Sequence, residues 1–416
     1  MKKNKFLLAF LLLFICSFCL SSTEASAKVK LNKSKLTLVE GQKYTLKLTG
    51  TKKKITWKSN KKSIATVTSK GRVTAKAPGQ ATISAKVGKT TKKCKVTVTT
   101  DYAKYYEYQV KYNKIAITKV LRISETNLVI PETIEGYPVC ELADGLFQNC
   151  DELISVTLPS EISSIGKNMF YGCHKLETIA CENAISSIGS YAFYECRSLK
   201  NLPDISGITE IPEYAFYNCD MLETLPITLQ LTAIGNYAFY DCDSLLTFYG
   251  SDALQTIGDY AFQNSNALLT VNGCKSVKQI GAGCFEGCAA LGTVSTGNQL
   301  QTLGIGCFSG CEKLSSISLS ATLSAIPDRC FYNCYALTNV TIPTSVSKIG
   351  NMAFFNCIKL SILTIPGTGI TSIAPDAFAG TSSSILNIWY RASTPAGYVD
   401  QWIAQLGLPA DHIHTI

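Results

Sequence analysis

Histidine is almost missing from this chain: His174, His412 and His414 are the three present among 416 residues, and two of them stand at the very C-terminus. Metal sites and proton-transfer catalysis both draw first on imidazole, so neither finds its usual residue. His174 follows Cys173, but it fills a variable repeat place taken elsewhere by Asp151, Arg197, Asp220 and Asp243, and it reads as a surface residue. A Gly-rich phosphate loop, spaced His ligands and a nucleophile motif are also lacking, and the acids are scattered without a paired carboxylate. The chain therefore reads as a non-enzyme that takes no cofactor and no metal. Long apolar runs are equally scarce. One extends from Phe6 to Leu20, after Lys2, Lys3 and Lys5 and before Ala25-Ser26-Ala27. It is shorter than the roughly 20 residues a bilayer requires and has the form of a secretory signal peptide, residues 1–27, cleaved near Ala27. No membrane span is expected, and the protein is expected to be secreted, at the cell surface or associated with the wall. Acid, finally, is nearly absent from one region: between Lys28 and Thr100 there are 20 Lys and Arg against Glu40 alone, a net +19. From Asp101 onward 16 basic residues meet 28 acidic ones, a net −12, so the formal +9 conceals a basic head and an acidic body. Such asymmetry points to electrostatic partners.

The basic head, residues 28–100, reads as short strands. Two alternating runs flank Glu40-Gly41, and further runs of the form ITWKS, IATVT, GRVTAKA and ATISAKV follow, separated by Asn, Ser, Gly or Pro. Regular short strands with turn signals predict an antiparallel sandwich. The segments Ile55-Thr56-Trp57-Lys58-Ser59, Ile64-Ala65-Thr66-Val67, Gly71-Arg72-Val73-Thr74-Ala75 and Pro78-Gly79-Gln80-Ala81-Thr82-Ile83 resemble the bacterial immunoglobulin-like domain, group 2. Trp57 is expected in the core between the sheets. Lys52, Lys53, Lys54, Lys58, Lys61, Lys62, Lys92 and Lys93 are candidates for contact with an anionic polymer, such as a cell-wall teichoic acid or a sulfated glycan. Two other roles fit the same residues: a solvated outer face that discourages edge-to-edge pairing, and docking on the acidic body of the same chain. Nucleic acid is not expected, because no aromatics are interleaved with these lysines to stack on bases.

The body is periodic. Phe147, Phe170, Phe193, Phe216, Phe239, Phe262, Phe285, Phe308, Phe331 and Phe354 recur every 23 residues, and Phe378 follows after 24. Around each runs the frame I-[G/P]-x-x-A-F-x-x-C-x-x-L, with Leu153 to Leu360 in its last place. One unit cannot bury its own apolar residues, so stacked units must build a continuous core from ladders of like side chains. The frame resembles the BspA-like leucine-rich repeats of bacterial surface proteins. The expected fold class is thus mixed: an immunoglobulin-like β-sandwich followed by a leucine-rich-repeat α/β solenoid, with a parallel sheet on one side and a helical turn at Ala-Phe on the other. Residues 101–140 are expected to form a cap and lead-in, 141–390 about eleven repeats, and 391–416 a capping helix and tail. In that tail Val399, Trp402, Ile403 and Leu406 share a helical face before Gly407.

Cysteine is abundant, with 18 in all and nine in one place of the frame: Cys150, Cys173, Cys196, Cys219, Cys242, Cys288, Cys311, Cys334 and Cys357, while Ser265 replaces a tenth. Equivalent side chains of stacked turns point the same way about 4.8 Å apart, whereas a disulfide needs converging Cβ atoms about 3.8 Å apart. A packing ladder of small buried side chains is therefore expected. Pairs such as Cys284/Cys288, Cys307/Cys311 and Cys330/Cys334 have spacing from which two rungs would bring four sulfurs together. Ala at the first of these places in other repeats favours simple small-for-small exchange. Cys94, Cys140, Cys181 and Cys274 lie outside the ladder and are not paired by the sequence.

Solenoids bind through extended surfaces. Two places after each Leu stand Ser155, Thr178, Asn201, Thr224, Thr247, Thr270, Thr293, Ser316, Asn339 and Ile362, mostly hydroxyls suited to cross-strand packing. Tyr171, Tyr194, Tyr217 and Tyr240 follow the Phe, and Tyr191, Tyr214, Tyr237 and Tyr260 precede it by two. This tyrosine stripe is the candidate partner site, since Tyr joins a rigid apolar face to a polar tip, and packing between turns is its other use. The resemblance implies adhesion to host matrix proteins or other cells, with protein or glycan partners on host or bacterial surfaces. The other expectation is a soluble secreted glycan- or peptide-binding scaffold without adhesive role.

Overall fold

The computed structural model describes residues 28–416 apart from 124, 227, 383, 395, 396, 398 and 401–408. The expected signal peptide and most of the expected capping helix lie outside the described residues. The chain divides into two compact units, Met1–Tyr102 and Ala103–Ile416.

Strict alternation builds the first unit. Its strands are β1 (Lys30–Leu31), β2 (Lys35–Val39), β3 (Lys43–Thr45), β4 (Leu48–Thr49), β5 (Thr56–Ser59), β6 (Ala65–Val67), β7 (Arg72–Ala75), β8 (Gly79–Val87) and β9 (Thr90–Thr99). One sheet has the order β2-β9-β8-β5 and another β3-β7-β6, with β1 and β4 as a separate pair. β2 runs parallel to β9, and the neighbours within the rest of both sheets are antiparallel. In β8 Ala81, Ile83, Ala85 and Val87 are buried, and they join Leu38, Leu46, Ala65, Val73, Cys94, Val96 and Val98 inside. The turn at Glu40-Gly41, with φ 86° at the glycine, carries the chain from one sheet to the other. Trp57 packs half-buried against this core.

In the second unit the 23-residue period becomes one turn of a solenoid with two parallel strips. Ser155–Thr157 pairs with Thr178–Ala180, and Thr247–Tyr249 with Thr270–Asn272, each rung 23 residues from the last. The other strip stacks Glu210–Ile211, Ala233–Ile234, Thr256–Ile257, Gln279–Ile280 and Thr302–Leu303. Where Gly ends a rung of this strip the turns approach closely, and a Cβ on Gly304, after Leu303, would lie 2.1 Å from the Ala282 nitrogen of the preceding turn; Pro212, Pro327 and Ala374 take the same place in other turns.

The helical turn expected in each repeat is not found among the described residues. Among the described residues the Ala-Phe edge is a chain of tight turns, and no α-helix forms there. The cause is backbone handedness. Two columns of residues sit at positive φ: Tyr191, Tyr214, Tyr237 and Tyr260 (55–59°) before the Ala, and Glu195, Asn218, Asp241 and Asn264 (53–58°) after the Phe. An α-helix needs consecutive right-handed residues, and a left-handed one every fourth place prevents it. Alternation of hand turns the peptide groups along the solenoid axis. Phe193 N–H then donates to the Ala215 carbonyl at 2.9 Å and Glu195 N–H to the Tyr217 carbonyl at 2.7 Å, both in the next turn. Along the Ala-Phe edge bonds between turns thus alternate with β-turn bonds within a turn, such as Cys196 N–H to the Phe193 carbonyl at 3.1 Å, in place of the continuous ladder of a helix.

The core repeats the sequence frame as columns. Phe147 to Phe378 stack ring on ring with centroids 5.0–5.6 Å apart, and the ten from Phe147 to Phe354 are fully buried. Burying each ring is worth about 1.5–3 kcal/mol before conformational entropy is counted. The cysteine column does more than fill space. From Cys173 onward each thiol of the column donates to the Phe carbonyl of the preceding turn: Cys173 to Phe147 at 3.0 Å, Cys196 to Phe170 at 3.1 Å, Cys288 to Phe262 at 3.0 Å and Cys357 to Phe331 at 3.1 Å, while Cys150 on the first rung turns to the Gln148 carbonyl instead. Ser265 makes the same bond to Phe239 at 2.8 Å. The place therefore selects a small side chain with a hydrogen-bond donor, which explains why serine substitutes.

At the N-terminal end β10 (Tyr106–Lys111) and β11 (Lys114–Val120) form a hairpin. Its two turn residues, Tyr112 and Asn113, have φ 50° and 61°, the left-handed pair that matches strand twist. β12 (Asn127–Val129) covers the edge of the first repeat strand. β13 (Thr133–Ile134) and β14 (Tyr137–Leu142) complete the lead-in. At the far end Ile413–Thr415 pairs with Asn387–Tyr390, and His414 stacks on Trp389 at 4.3 Å.

Candidate binding surfaces

The eight candidate tyrosines come together in one place. Tyr171, Tyr194, Tyr217 and Tyr240 stack at 4.6–4.7 Å, and Tyr191, Tyr214, Tyr237 and Tyr260 at 4.7–5.0 Å. The columns touch obliquely at 5.8–5.9 Å, so the rings form a single half-buried plaque. Ring faces are taken up by neighbouring rings; edges and hydroxyls are what the surface offers. That geometry disfavours sugar stacking, which needs open faces, and favours hydrogen bonding at the tips. Burial, with neighbouring tyrosines adding, pushes the Tyr217 hydroxyl up to about 12, and Tyr194 and Tyr240 move the same way. These hydroxyls stay protonated at neutral pH. The outer column holds its rings at a backbone hand that costs an L-residue about 1–2 kcal/mol, where other repeats place Gly145, Gly283 or Gly306. Stacking, at about 0.5–1.5 kcal/mol per pair, offsets that strain. The plaque stops at Gly283, over which the Tyr260 ring lies. Gln263 then bonds Glu286 at 2.9 Å and continues the inner column with an amide and a carboxylate.

Acid is concentrated on the same segment. Residues 181–260 hold 11 acids and two bases, a net −9 against −12 for the whole body, so the net negative charge is concentrated on the turns that carry the plaque. Glu213 lies beside Tyr191 and Tyr214, Asp259 beside Tyr237, and Asp241 beside Tyr217 and Tyr240. Burial first, then neighbouring carboxylates, raise the carboxyls of Asp220 and Asp241. Between Glu195 and Asp241 in their column, the Asn218 side-chain oxygen is buried without a hydrogen-bond partner. His174 stands at the surface, where its ring bridges Asp151 at 2.7 Å and Glu195 at 3.2 Å. Those bonds raise its pKa, Asp151 most.

The candidate lysines do not form one site. Lys58 and Lys93 share the outer face of the sheet β2-β9-β8-β5, linked through Ser84. Lys92 sits opposite Ala85, on the inward side of the same strand. Lys52, Lys53 and Lys54 precede β5, Lys61 and Lys62 follow it, and all five are exposed. The register adds Lys35, Lys86 and Lys95 to the outer face, which runs of consecutive lysine do not reveal and alternation along the strands does. On the solenoid, the Ile-Gly strip carries a shallow groove of about 340 Å³ lined by Glu210, Asn236, Thr256, Asp259 and Gln279. The thiols of Cys284, Cys307, Cys311, Cys330 and Cys334 are buried and raised well above the ordinary value by that burial, which works against the thiolate a zinc ion requires.

Comparison with known proteins agrees with the columns. The profile of the BspA type leucine rich repeat region, six copies long, matches residues 140–269 and again 255–385, together more than half of the chain. The chain belongs to the BspA-type leucine-rich repeat family. Ahead of the BspA-type repeats, residues 25–98 match the bacterial Ig-like domain, group 2. Among solved structures, a leucine-rich repeat protein from Bacteroides ovatus is 22% identical with a TM-score of 0.52, over 69% of this chain and 70% of that one, a likeness of fold. A leucine rich cell surface protein from Faecalibacterium prausnitzii is 26% identical over 72% of this chain and 95% of its own, TM-score 0.40. A T. pallidum leucine rich repeat protein is 30% identical over 51% and 89%, TM-score 0.37. No curated protein matches this BspA-type chain. Among the described residues no helix is long and apolar enough to cross a membrane.

Proposed function

We propose that this is a secreted or surface-held bacterial binding protein that uses the tyrosine plaque of its solenoid to hold a cationic protein surface, and so works in adhesion rather than catalysis. One observation carries the reading: two stacked tyrosine columns coincide with the turns that carry 11 acids against two bases. The carboxylates of these turns present acceptors and negative charge, so the partner must bring donors and positive charge. Preorganised aromatic tips lower the entropy lost on binding, and family membership supports a protein-binding role at the surface. The basic Ig-like module, in this reading, meets an anionic polymer of the cell envelope.

The test is binding of the full chain, with and without Tyr194→Ser and Tyr217→Ser, to immobilised matrix glycoproteins and to a Lys/Arg-rich peptide. A loss of at least about tenfold in the double variant, matching one hot-spot contribution, supports the plaque. Undiminished binding places the partner elsewhere on the solenoid. Binding to neutral glycans in preference to both probes favours the soluble glycan-binding alternative.

A further inference from the structure

We propose that the outer face of the sheet β2-β9-β8-β5 is a binding surface for a linear polyol-phosphate polymer. The inference rests on the reading that the Ig-like module meets an anionic polymer, and it names both the face and the ligand class.

The face is defined by strand alternation. Lys35 and Thr37 from β2, Thr91, Lys93, Lys95, Thr97 and Thr99 from β9, Gln80, Thr82, Ser84 and Lys86 from β8, and Thr56 and Lys58 from β5 all point away from the core. Five lysines, seven hydroxyls and one amide make up this surface, with Val39 at the end of β2 as its one aliphatic side chain, and it bears no acid and no aromatic. In the ladder Lys35 stands directly opposite Lys95, and Lys93 and Lys58 flank Ser84. Same-face neighbours are about 4.8 Å apart across strands and about 7 Å along them. That is within the screening length of about 8 Å at physiological salt, and like charges directly opposite destabilise a sheet. No ion pair relieves them among the described residues. The unit therefore holds a repulsive array that a polyanion neutralises.

Residue type selects the polyanion. Arginine supplies the planar fork suited to nucleic acid and to bidentate phosphate, and Arg72 is the one arginine in residues 28–100. Lysine acts as a point charge suited to singly charged groups. The interspersed Thr and Ser match hydroxylated spacers between such groups, and the lack of an aromatic removes any platform for bases or sugar rings. Singly charged phosphodiesters joined by polyols have this pattern.

The full secreted chain is titrated with poly(glycerol phosphate), heparin and single-stranded DNA at several salt concentrations. Two variants accompany it: a face variant with Lys58, Lys86, Lys93 and Lys95 each changed to Thr, and a loop variant with Lys52, Lys53 and Lys54 each changed to Ser. Urea midpoints verify that both fold, and the face variant is expected to match or exceed the parent. The expected result is that the parent prefers poly(glycerol phosphate), the face variant binds at least about tenfold more weakly, and the slope of log Kd against log salt falls by about 3, as loss of four charge contacts to a single strand implies. The loop variant is expected to bind within about threefold of the parent. If the loop variant loses binding and the face variant keeps it, the polymer reading stands and the face assignment is overturned. Preference for heparin or DNA overturns the ligand class. If the parent binds none of the three, both the face and the polymer reading fall.

Discussion

Changing Cys288 to serine and, separately, to alanine measures what the cysteine column contributes. The Cys288 thiol lies 3.0 Å from the Phe262 carbonyl, which also accepts the Ser265 N–H at 3.1 Å, and the side chain is fully buried. Alanine removes the sulfur, about 1 kcal/mol of buried apolar surface and residual cavity, and removes a hydrogen bond worth about 0.5–1.5 kcal/mol net. A loss of about 2 kcal/mol is expected. Serine gives up the sulfur but restores the donor, as Ser265 does one rung earlier, so about 1 kcal/mol is expected. The sign of the difference is decisive. Were the column only packing, serine would bury an unpaired hydroxyl and be worse than alanine by about 1–3 kcal/mol. Urea unfolding followed by far-ultraviolet circular dichroism gives the comparison, provided the denaturant slope is common to all three proteins. Serine less stable than alanine refutes the hydrogen-bond account.

Two further outcomes follow from geometry already described. Gly304→Ala forces a Cβ to within 2.1 Å of backbone in the preceding turn and is expected to cost about 3 kcal/mol or more; Gly306→Ala, whose burden is its φ of 64°, is expected to cost about 1 kcal/mol, and equal midpoints for the two would contradict the close-approach argument. Because Asp151 and Glu195 raise the pKa of His174 in the folded state, the charged ring adds stability below about pH 6.5, its unfolded value, and the increment disappears as pH rises past the raised value. The ring is 43% exposed, so the gain is under about 1 kcal/mol. The midpoint difference between parent and His174→Gln is expected to shrink from pH 6 to pH 8, and a constant difference would refute the linkage.

The period, the phenylalanine column and the position of the cysteines were legible because identical side chains in register have one economical arrangement, a stack. Misreading the Ala-Phe edge as helical has a specific cause. Ala-Phe-x-x-Cys-x-x-Leu places apolar residues three apart, a spacing that consecutive β-turns share with a helical turn. The distinguishing mark was present but diluted: the place two after the Phe holds Asn149, Gly172, Asn218, Asp241, Asn264, Gly287, Gly310, Asn333, Asn356 and Gly380, residues that tolerate a left-handed backbone, with Glu195 as the exception. Four tyrosines at the other left-handed place obscured the second half of the signal. Grouping lysines by consecutive runs likewise missed the face they share, since neighbours in a strand point to opposite sides. Which acids lie beside which rings depends on lateral packing across turns, and period alone does not set it.

Rungs this similar create a counting problem during folding. A turn that skips its neighbour and stacks on the one beyond would rebuild most of the same columns, at the expense of one looped-out repeat, so local contacts alone discriminate poorly between correct and miscounted arrays. The departures from the consensus then act as landmarks. Ser265 within the thiol column, Gly283 at the end of the tyrosines and the Gln263–Glu286 bond that follows them each mark a rung that fits properly only between its own two neighbours.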